Sequence, residues 1–422
     1  MKSLFSKEVS VLVQRAEDKI KPIHEQVDAV ALFNQNRVME SFATHQVADF
    51  HFTPSTGYGY DDAGRETLEA IYADVFGGEA SLVRHQLVSG THAIAVALFG
   101  LLRPGDELLY ISGTPYDTLE EIVGIRGNGK GSLRDYSIGY NKVDLMNGKM
   151  DKQGIRNAIH EQTKVIGIQR SRGYGDRPSF TIAELADIIA YVKSIKEDVI
   201  VFVDNCYGEF VETKEPCHVG ADLMAGSLIK NPGGGIAKSG GYIVGKRDFV
   251  ELASYRLAAP GIGAEGGATL GTLTDMYQGF FLAPHVVAQS VKGAHFTAAL
   301  LEEVGMKTSP RWSEARTDLI QAVYFDTAEQ MVAFCQSIQH TSPVNAHVTP
   351  TPSYMPGYED DVIMAAGTFV QGASIELTAD GPLRAPFTAY VQGGLTYEHV
   401  KLAVTKAVEK TFRNRGEKED NE

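Results

Sequence analysis

Between about residues 80 and 245 the chain alternates short apolar runs with longer amphipathic ones, and no other feature restricts its fold so strongly. SLVRHQLVS, DELLYIS, TKVIGIQ, DVIVFVDN, DLMAGSLI and GGYIVG have the length and apolar character of strands. Among them, THAIAVALFGLL, TLEEIVGIRG and TIAELADIIAYVKSIK space their apolar residues as helices do. A sheet built from such strands needs helices on its faces, and connections of this length suit right-handed crossovers. The expected core is therefore an α/β domain with a mostly parallel sheet.

The flanks read differently. Residues from about 8 to 42 are expected to be helical, with Pro22 as a break or kink. FHFTPSTGYGY follows as a loop carrying Tyr58 and Tyr60, and a helix is expected from about Gly64. Beyond about 285, PHVVAQSVKGAHFTAALLEEVG suggests a long helix leaving the main domain. AVYFDT, AEQMVAFCQSIQ, DDVIMAAGTF, SIELTA and FTAYVQGG then suggest a smaller α+β unit, closed by a helix in LTYEHVKLAVTKAVEKTF. The expected division is 1–50 as a helical arm, 51–285 as the large domain and 286–422 as the small C-terminal domain. The charged tail RNRGEKEDNE is expected to fray.

Several function classes are disfavoured at once. A net charge of -14 argues against a broad nucleic-acid surface, although one small anion site needs only a few N–H groups and a lysine. Three cysteines, Cys206, Cys217 and Cys335, make no disulfide framework. No apolar run approaches the roughly 18 residues of a membrane span, and the N-terminal stretch meets charge too early for a secretory leader, so cytoplasmic residence is expected. The pairs His45/His51 and His85/His92 lack metal-ligand spacing, and no metal is expected.

Chemistry concentrates at strand ends. Ser89-Gly90-Thr91-His92 closes one strand and opens a helix, which suits an anion cradle as well as an ordinary helix cap. Asp204 ends VIVFVD, where a carboxylate needs a cationic partner or a local backbone cap. Lys230, in GSLIKNPGGG, sits in an apolar context where desolvation would lower its pKa and make it nucleophilic. Ser227 could add a hydroxyl to the cradle, and Lys238 is the fallback lysine. Tyr116, after another strand, could stack on a planar group, assist in proton transfer, or simply pack. Cys206 reads as a small packing residue rather than a nucleophile, and Trp312 as a packing residue of the smaller domain. Cradle, ring, acid and lysine together match the demands of pyridoxal 5'-phosphate: anchor the phosphate, clamp the ring, charge its nitrogen and bond its aldehyde.

SGTHAIAVAL, SGTPYDTLEEIVG, IQRSRGY, FVDNCYGEFVE, GSLIKNPGGGIAKSGGYIVG and GAEGGATLGT resemble the methionine gamma-lyase-related, or aluminium-resistance, family. That family lies in the Cys/Met-metabolism branch of fold-type I pyridoxal-phosphate enzymes. The resemblance implies a covalent cofactor link through Lys230, Asp204 at the ring nitrogen, and Ser89, Gly90, Thr91 and Ser227 near the phosphate. It also implies a homotetramer built from close dimers, with Tyr58, Tyr60 and Arg65 as loose counterparts of residues donated to a neighbouring subunit's site. The sequence departs from the usual S-x-T-K in having Ser227-Leu228-Ile229-Lys230. Arg384, Arg170 and Arg172 are the candidates for holding a substrate carboxylate. The expected activity is β- or γ-elimination from a sulfur-containing amino acid, with Lys230 moving the protons. An aminotransferase and a non-catalytic pyridoxal-phosphate-binding regulator or scaffold are the alternatives.

Overall fold

The computed structural model describes the backbone of residues 4–419 and the side chains of residues 4–410. The chain divides into two compact units, Phe33–Pro284 and a second made of Met1–Leu32 with His285–Glu422. Helix α1 (Lys7–Thr44) runs without a break through Pro22, so the expected kink does not end it. Its first part counts with the C-terminal unit rather than standing apart, because Val9, Val13, Ala16 and Ile20 are buried in one core with Phe296, Leu300 and Val404.

In the first unit, α2 (Ala63–Phe76) leads into β1 (Ala80–Arg84), α3 (Gly90–Leu101), β2 (Glu107–Tyr110), α4 (Asp117–Val123) and β3 (Gly139–Lys142). Then follow α5 (Lys152–Ala158), β4 (Thr163–Gln169), α6 (Ile182–Ile195), β5 (Ile200–Asp204), β6 (Leu223–Ser227), β7 (Gly241–Gly245) and α7 (Arg247–Leu257). The sheet order is β1-β7-β6-β5-β4-β2-β3. Strands β2 to β6 pair in parallel, while β7 runs against both β6 and β1. The mostly parallel sheet therefore stands as expected. Strand β3, GYNK, escaped the sequence reading because an exposed edge strand carries no apolar run.

Burial explains the central strands. Every residue of β5, β6 and β7 is buried, which fits strands covered on both faces. Leu98, Leu108, Val165, Phe202, Leu223 and Ile243 share one core with Val250 and Ala253 of α7. Gly100 lets α3 and α7 approach closely, since a Cβ there would stand 2.9 Å from the Ala253 backbone. Because β1, β2, β4, β5 and β6 all point one way, their carboxyl ends share one edge of the sheet. At or just past that edge lie Ser89, Tyr116, Arg170, Asp204, Ser227 and Lys230.

The second unit holds the latter part of α8 (Leu273–Glu303), then β8 (Thr308–Ser309), β9 (Gln321–Phe325), α9 (Ala328–Gln339), β10 (Val362–Ala365), β11 (Thr378–Pro382), β12 (Phe387–Gln392) and α10 (Tyr397–Glu419). Its antiparallel sheet is ordered β10-β11-β12-β9-β8. SIELTA is a turn rather than a strand until Thr378: Leu377 has a φ of +124°, and the Glu376 carboxylate accepts the N–H groups of Phe369 and Val370. Trp312 packs against this unit's core. The backbone of the tail RNRGEKEDNE continues α10 as far as Glu419 where fraying was the expectation, and its last three residues fall outside the described residues. Among the described residues no helix is long and apolar enough to cross a membrane.

Candidate active site

The sheet edge is assembled by register. Gln169 pairs with Asp204, Asp204 with Ala225, and Ser227 with Gly241, which in turn faces Arg84. Ser89 caps α3, its Oγ accepting the His92 N–H at 3.0 Å, so the ordinary capping role is realised. The same helix end meets the rest of the edge at Gly90, where a Cβ would lie 3.1 Å from Ser227 Cβ and 3.2 Å from Cys206 Sγ. Only glycine lets the helix end approach so closely. Thr91 Oγ1 lies 3.1 Å from the hydroxyl of Thr118, in α4. Tyr116 caps α4 from outside, its ring 5.7 Å from that of Tyr174 and against Gly173.

Asp204 is buried, and its Oδ1 accepts the Cys206 N–H at 3.1 Å. Burial raises its pKa, against the pull of the Lys230 amine and of that N–H. Lys230 is half-buried, with Nζ 4.0 Å from the centroid of the Tyr207 ring. Its pKa departs from the expectation. Burial does press it down, but the surrounding acidic side chains, the carboxyls of Asp204 and Glu209 among them, outweigh burial and raise it, so the amine is held as ammonium in the cofactor-free chain. Cys206 is buried, and desolvation followed by the charge of Asp204 pushes its thiol well up, which leaves it a neutral packing group. Lys238 is 77% exposed at its side chain and pairs with Asp275 at 2.8 Å, which removes it as the fallback.

The arginines are placed differently from the expectation. Arg170 is fully buried and binds Asn205 Oδ1 at 2.8 Å, Glu212 Oε1 at 3.0 Å and Glu215 Oε2 at 3.3 Å. Two buried or half-buried acids claim its guanidinium, so it braces the loop after β5 instead of offering a fork to a substrate. Arg172 is also buried, with Nε and Nη2 on the Gly175 carbonyl at 3.3 Å. Arg384 belongs to the second unit, where it is exposed and bonded to Asp360 at 3.0 Å. Arg65 is buried and grips the carbonyls of Gly59, Gly267 and Glu265. It fastens the loop that bears Tyr58 and Tyr60, and these two rings stack 5.3 Å apart while remaining 78% and 52% exposed.

Two residues of this edge were not singled out in the sequence. Tyr207 and Glu209 both lie in DNCYGEF, just past Asp204. The signal available was an aromatic residue and a second acid in the turn directly after a strand-ending aspartate. Glu209 is fully buried, with Oε1 accepting the Tyr242 hydroxyl at 2.7 Å. Desolvation raises its pKa to about 8, opposed by that hydrogen bond and by Lys230. The histidines proposed against a metal have separate tasks: His51 accepts the Ala48 N–H, and His92 accepts the Val88 N–H. Among the described residues no three His, Cys, Asp or Glu side chains are grouped to hold a metal.

Comparison with known proteins decides the family. The profile for methionine gamma-lyase matches residues 9–412. The chain belongs to the methionine gamma-lyase family. Protein YnbB of Bacillus subtilis is 67% identical over 395 residues, covering 93% of this chain and 94% of that protein. A structure from Listeria monocytogenes, described as a candidate cystathionine beta-lyase involved in aluminum resistance, shares 62% identity at a TM-score of 0.93, covering 95% of this chain and 99% of the other. A carbon-sulfur lyase involved in aluminum resistance from Clostridium novyi shares 44% identity at a TM-score of 0.92, with 96% of each chain covered. The architecture of this methionine gamma-lyase family member is that of fold-type I pyridoxal-phosphate enzymes.

Arg170→Ala leaves Glu215 buried without its cation, and stability should fall by about 3–5 kcal/mol. Urea denaturation measures this, and a loss under about 1 kcal/mol would contradict the bracing role. Glu209 supplies a pH test. Its folded pKa, about 8, lies above that of an unfolded glutamate, so the folded state binds the proton more tightly. The stabilisation is complete below about pH 4 and fades as pH rises through about 8. Relative to Glu209→Gln, the wild-type chain should therefore lose stability across that window, and parallel curves would refute it.

Proposed function

We propose that this chain is a pyridoxal-phosphate-dependent lyase that cleaves a carbon–sulfur bond of an amino acid by β- or γ-elimination. The observation that carries this reading is the convergence on one sheet edge of Ser227 with the start of α3, which meet at Gly90, and of Asp204 with the Lys230 amine that acts on it. The residues fit the cofactor on two counts. Gly90 keeps the helix end open where a Cβ would close it, and Asp204 is a buried acid whose ionised form calls for a cation such as a protonated ring nitrogen. When bound, pyridoxal 5'-phosphate supplies an aldehyde for an amine and an electron-withdrawing ring.

Each group then has a task. The N–H groups and hydroxyls of Ser89, Gly90, Thr91 and Ser227 would hold the phosphate, aided by the positive end of α3. Asp204 would hold its negative charge against the ring nitrogen, and Tyr116 would pack on the ring. Lys230 is the covalent anchor and, once freed, its Nζ takes the proton from the substrate Cα and later returns one. Tyr58 and Tyr60, stacked and exposed on a braced loop, would serve a neighbouring subunit in a homotetramer. Arg384 is the arginine proposed for the substrate carboxylate, because it is exposed whereas Arg170 and Arg172 are buried among their partners. Cytoplasmic residence completes the reading. The described relatives, a candidate cystathionine beta-lyase and a carbon-sulfur lyase, support the reaction class.

Incubation with cystathionine, methionine and cysteine should release a keto acid from at least one of them. Lys230→Ala should lower that rate by about a hundred- to ten-thousandfold or more. Exchange of amino groups that depends on an added keto acid, without elimination, would replace the lyase reading with an aminotransferase. Cofactor binding with no turnover of any amino acid would leave a regulator or scaffold.

A further inference from the structure

Tyr207 has a backbone conformation that an aromatic residue adopts only under constraint, with φ at +73°. The turn that imposes it is held from several directions. The Asn205 N–H donates to the Ala225 carbonyl at 3.1 Å, and the Gly208 N–H donates to the Asn205 carbonyl at 2.9 Å. Glu215 accepts the Asn205 side-chain amide at 3.0 Å and the Phe210 N–H at 2.8 Å. Arg170 closes the frame, because a Cβ on Gly208 would stand 2.6 Å from its Nη1. Strain of this kind persists where the surroundings over-determine it, and it gathers at functional sites.

What the braced turn presents is a half-buried ring face with Lys230 Nζ 4.0 Å from its centroid. An aromatic face favours a cation over a neutral amine, and most strongly where water is displaced. We infer that Tyr207 is a positioning residue for Lys230, its ring steadying the ammonium form at the sheet edge, both in the cofactor-free chain and after Nζ has taken the substrate proton. This rests on the reading of Lys230 as the cofactor-bearing lysine. Asp204 and Glu209, at the end of β5 and in the turn after it, and the neutral thiol of Cys206 are the other groups that face the amine. The assembly gives Arg170 its place: it fixes the turn, the turn fixes the ring, and the ring fixes the amine. A tyrosine so placed holds Lys230 in position once it has taken the substrate proton, ready to return it.

The test uses the full cofactor-free chain, acylated with an amine reagent between about pH 7 and pH 11, with the Lys230 and Lys238 peptides counted by mass spectrometry. Tyr207→Asn removes the ring, and asparagine accepts a left-handed backbone. It should move the midpoint of the Lys230 profile downward, so that labelling below the midpoint is about three- to tenfold faster. Tyr207→Phe should keep the wild-type midpoint, because the ring face and not the hydroxyl acts. Lys238, exposed and paired with Asp275, should be unchanged and calibrates the reagent, while circular dichroism reports that each variant is folded. Should Tyr207→Asn not fold, Tyr207→Gly makes the same comparison. An unmoved midpoint without the ring, or an equal shift in Tyr207→Phe, overturns the inference. The functional reading is checked apart from this, by the absorbance change on adding pyridoxal 5'-phosphate to the wild-type chain and its loss in Lys230→Ala. Failure of that change with an intact Tyr207 effect would sink the reading alone.

Discussion

A carboxyl buried at the end of a central strand is unfavourable unless a cation answers it, and this constraint organises the sheet edge around Asp204. Lys230 is the amine that the fold brings into its field, and burial of both makes their interaction stronger than it would be in water. The amine is consequently held charged rather than primed as a free nucleophile. That reverses one expectation drawn from its apolar sequence context. Desolvation does act downward, but the acids that counter it lie at the end of β5 and on the turn after it, not beside Lys230 in sequence.

The fold was largely legible because its elements obey simple periodicities. Apolar runs such as IVFVD and LMAGS are strands buried on both faces, and the helices between them have ordinary caps, as Ser89 and Thr181 show. Elements without such signals were missed. GYNK is an exposed edge strand with little apolar content, and SIEL is diverted into a turn by a positive φ at Leu377 and the Glu376 carboxylate. Pro22 lies within a continuous helix because a long amphipathic face supplies packing that outweighs one lost hydrogen bond.

The positions of Asp204, Ser227, Lys230 and Gly90 followed from a rule of open sheets, that ligand chemistry collects at the carboxyl ends of parallel strands. The arginines did not follow from it. Arg170 and Arg172 do succeed a strand end, yet a guanidinium has five donors and takes the partners nearest to hand, here carboxylates and carbonyls of the neighbouring loops. Nothing in QRSRGYG distinguishes a bracing arginine from a binding one. Tyr207 was hidden for a related reason, since its importance lies in a left-handed backbone that a pattern of residue types does not reveal.

The central claim is that one lysine at this edge forms a bond with the cofactor's aldehyde. Borohydride reduction of the protein loaded with pyridoxal 5'-phosphate, followed by peptide mapping, addresses it directly. The pyridoxyl mass should be found on the peptide containing Lys230, and it should vanish in Lys230→Ala. Its appearance on Lys238 or another exposed lysine instead, or no stable adduct at all, would contradict the account.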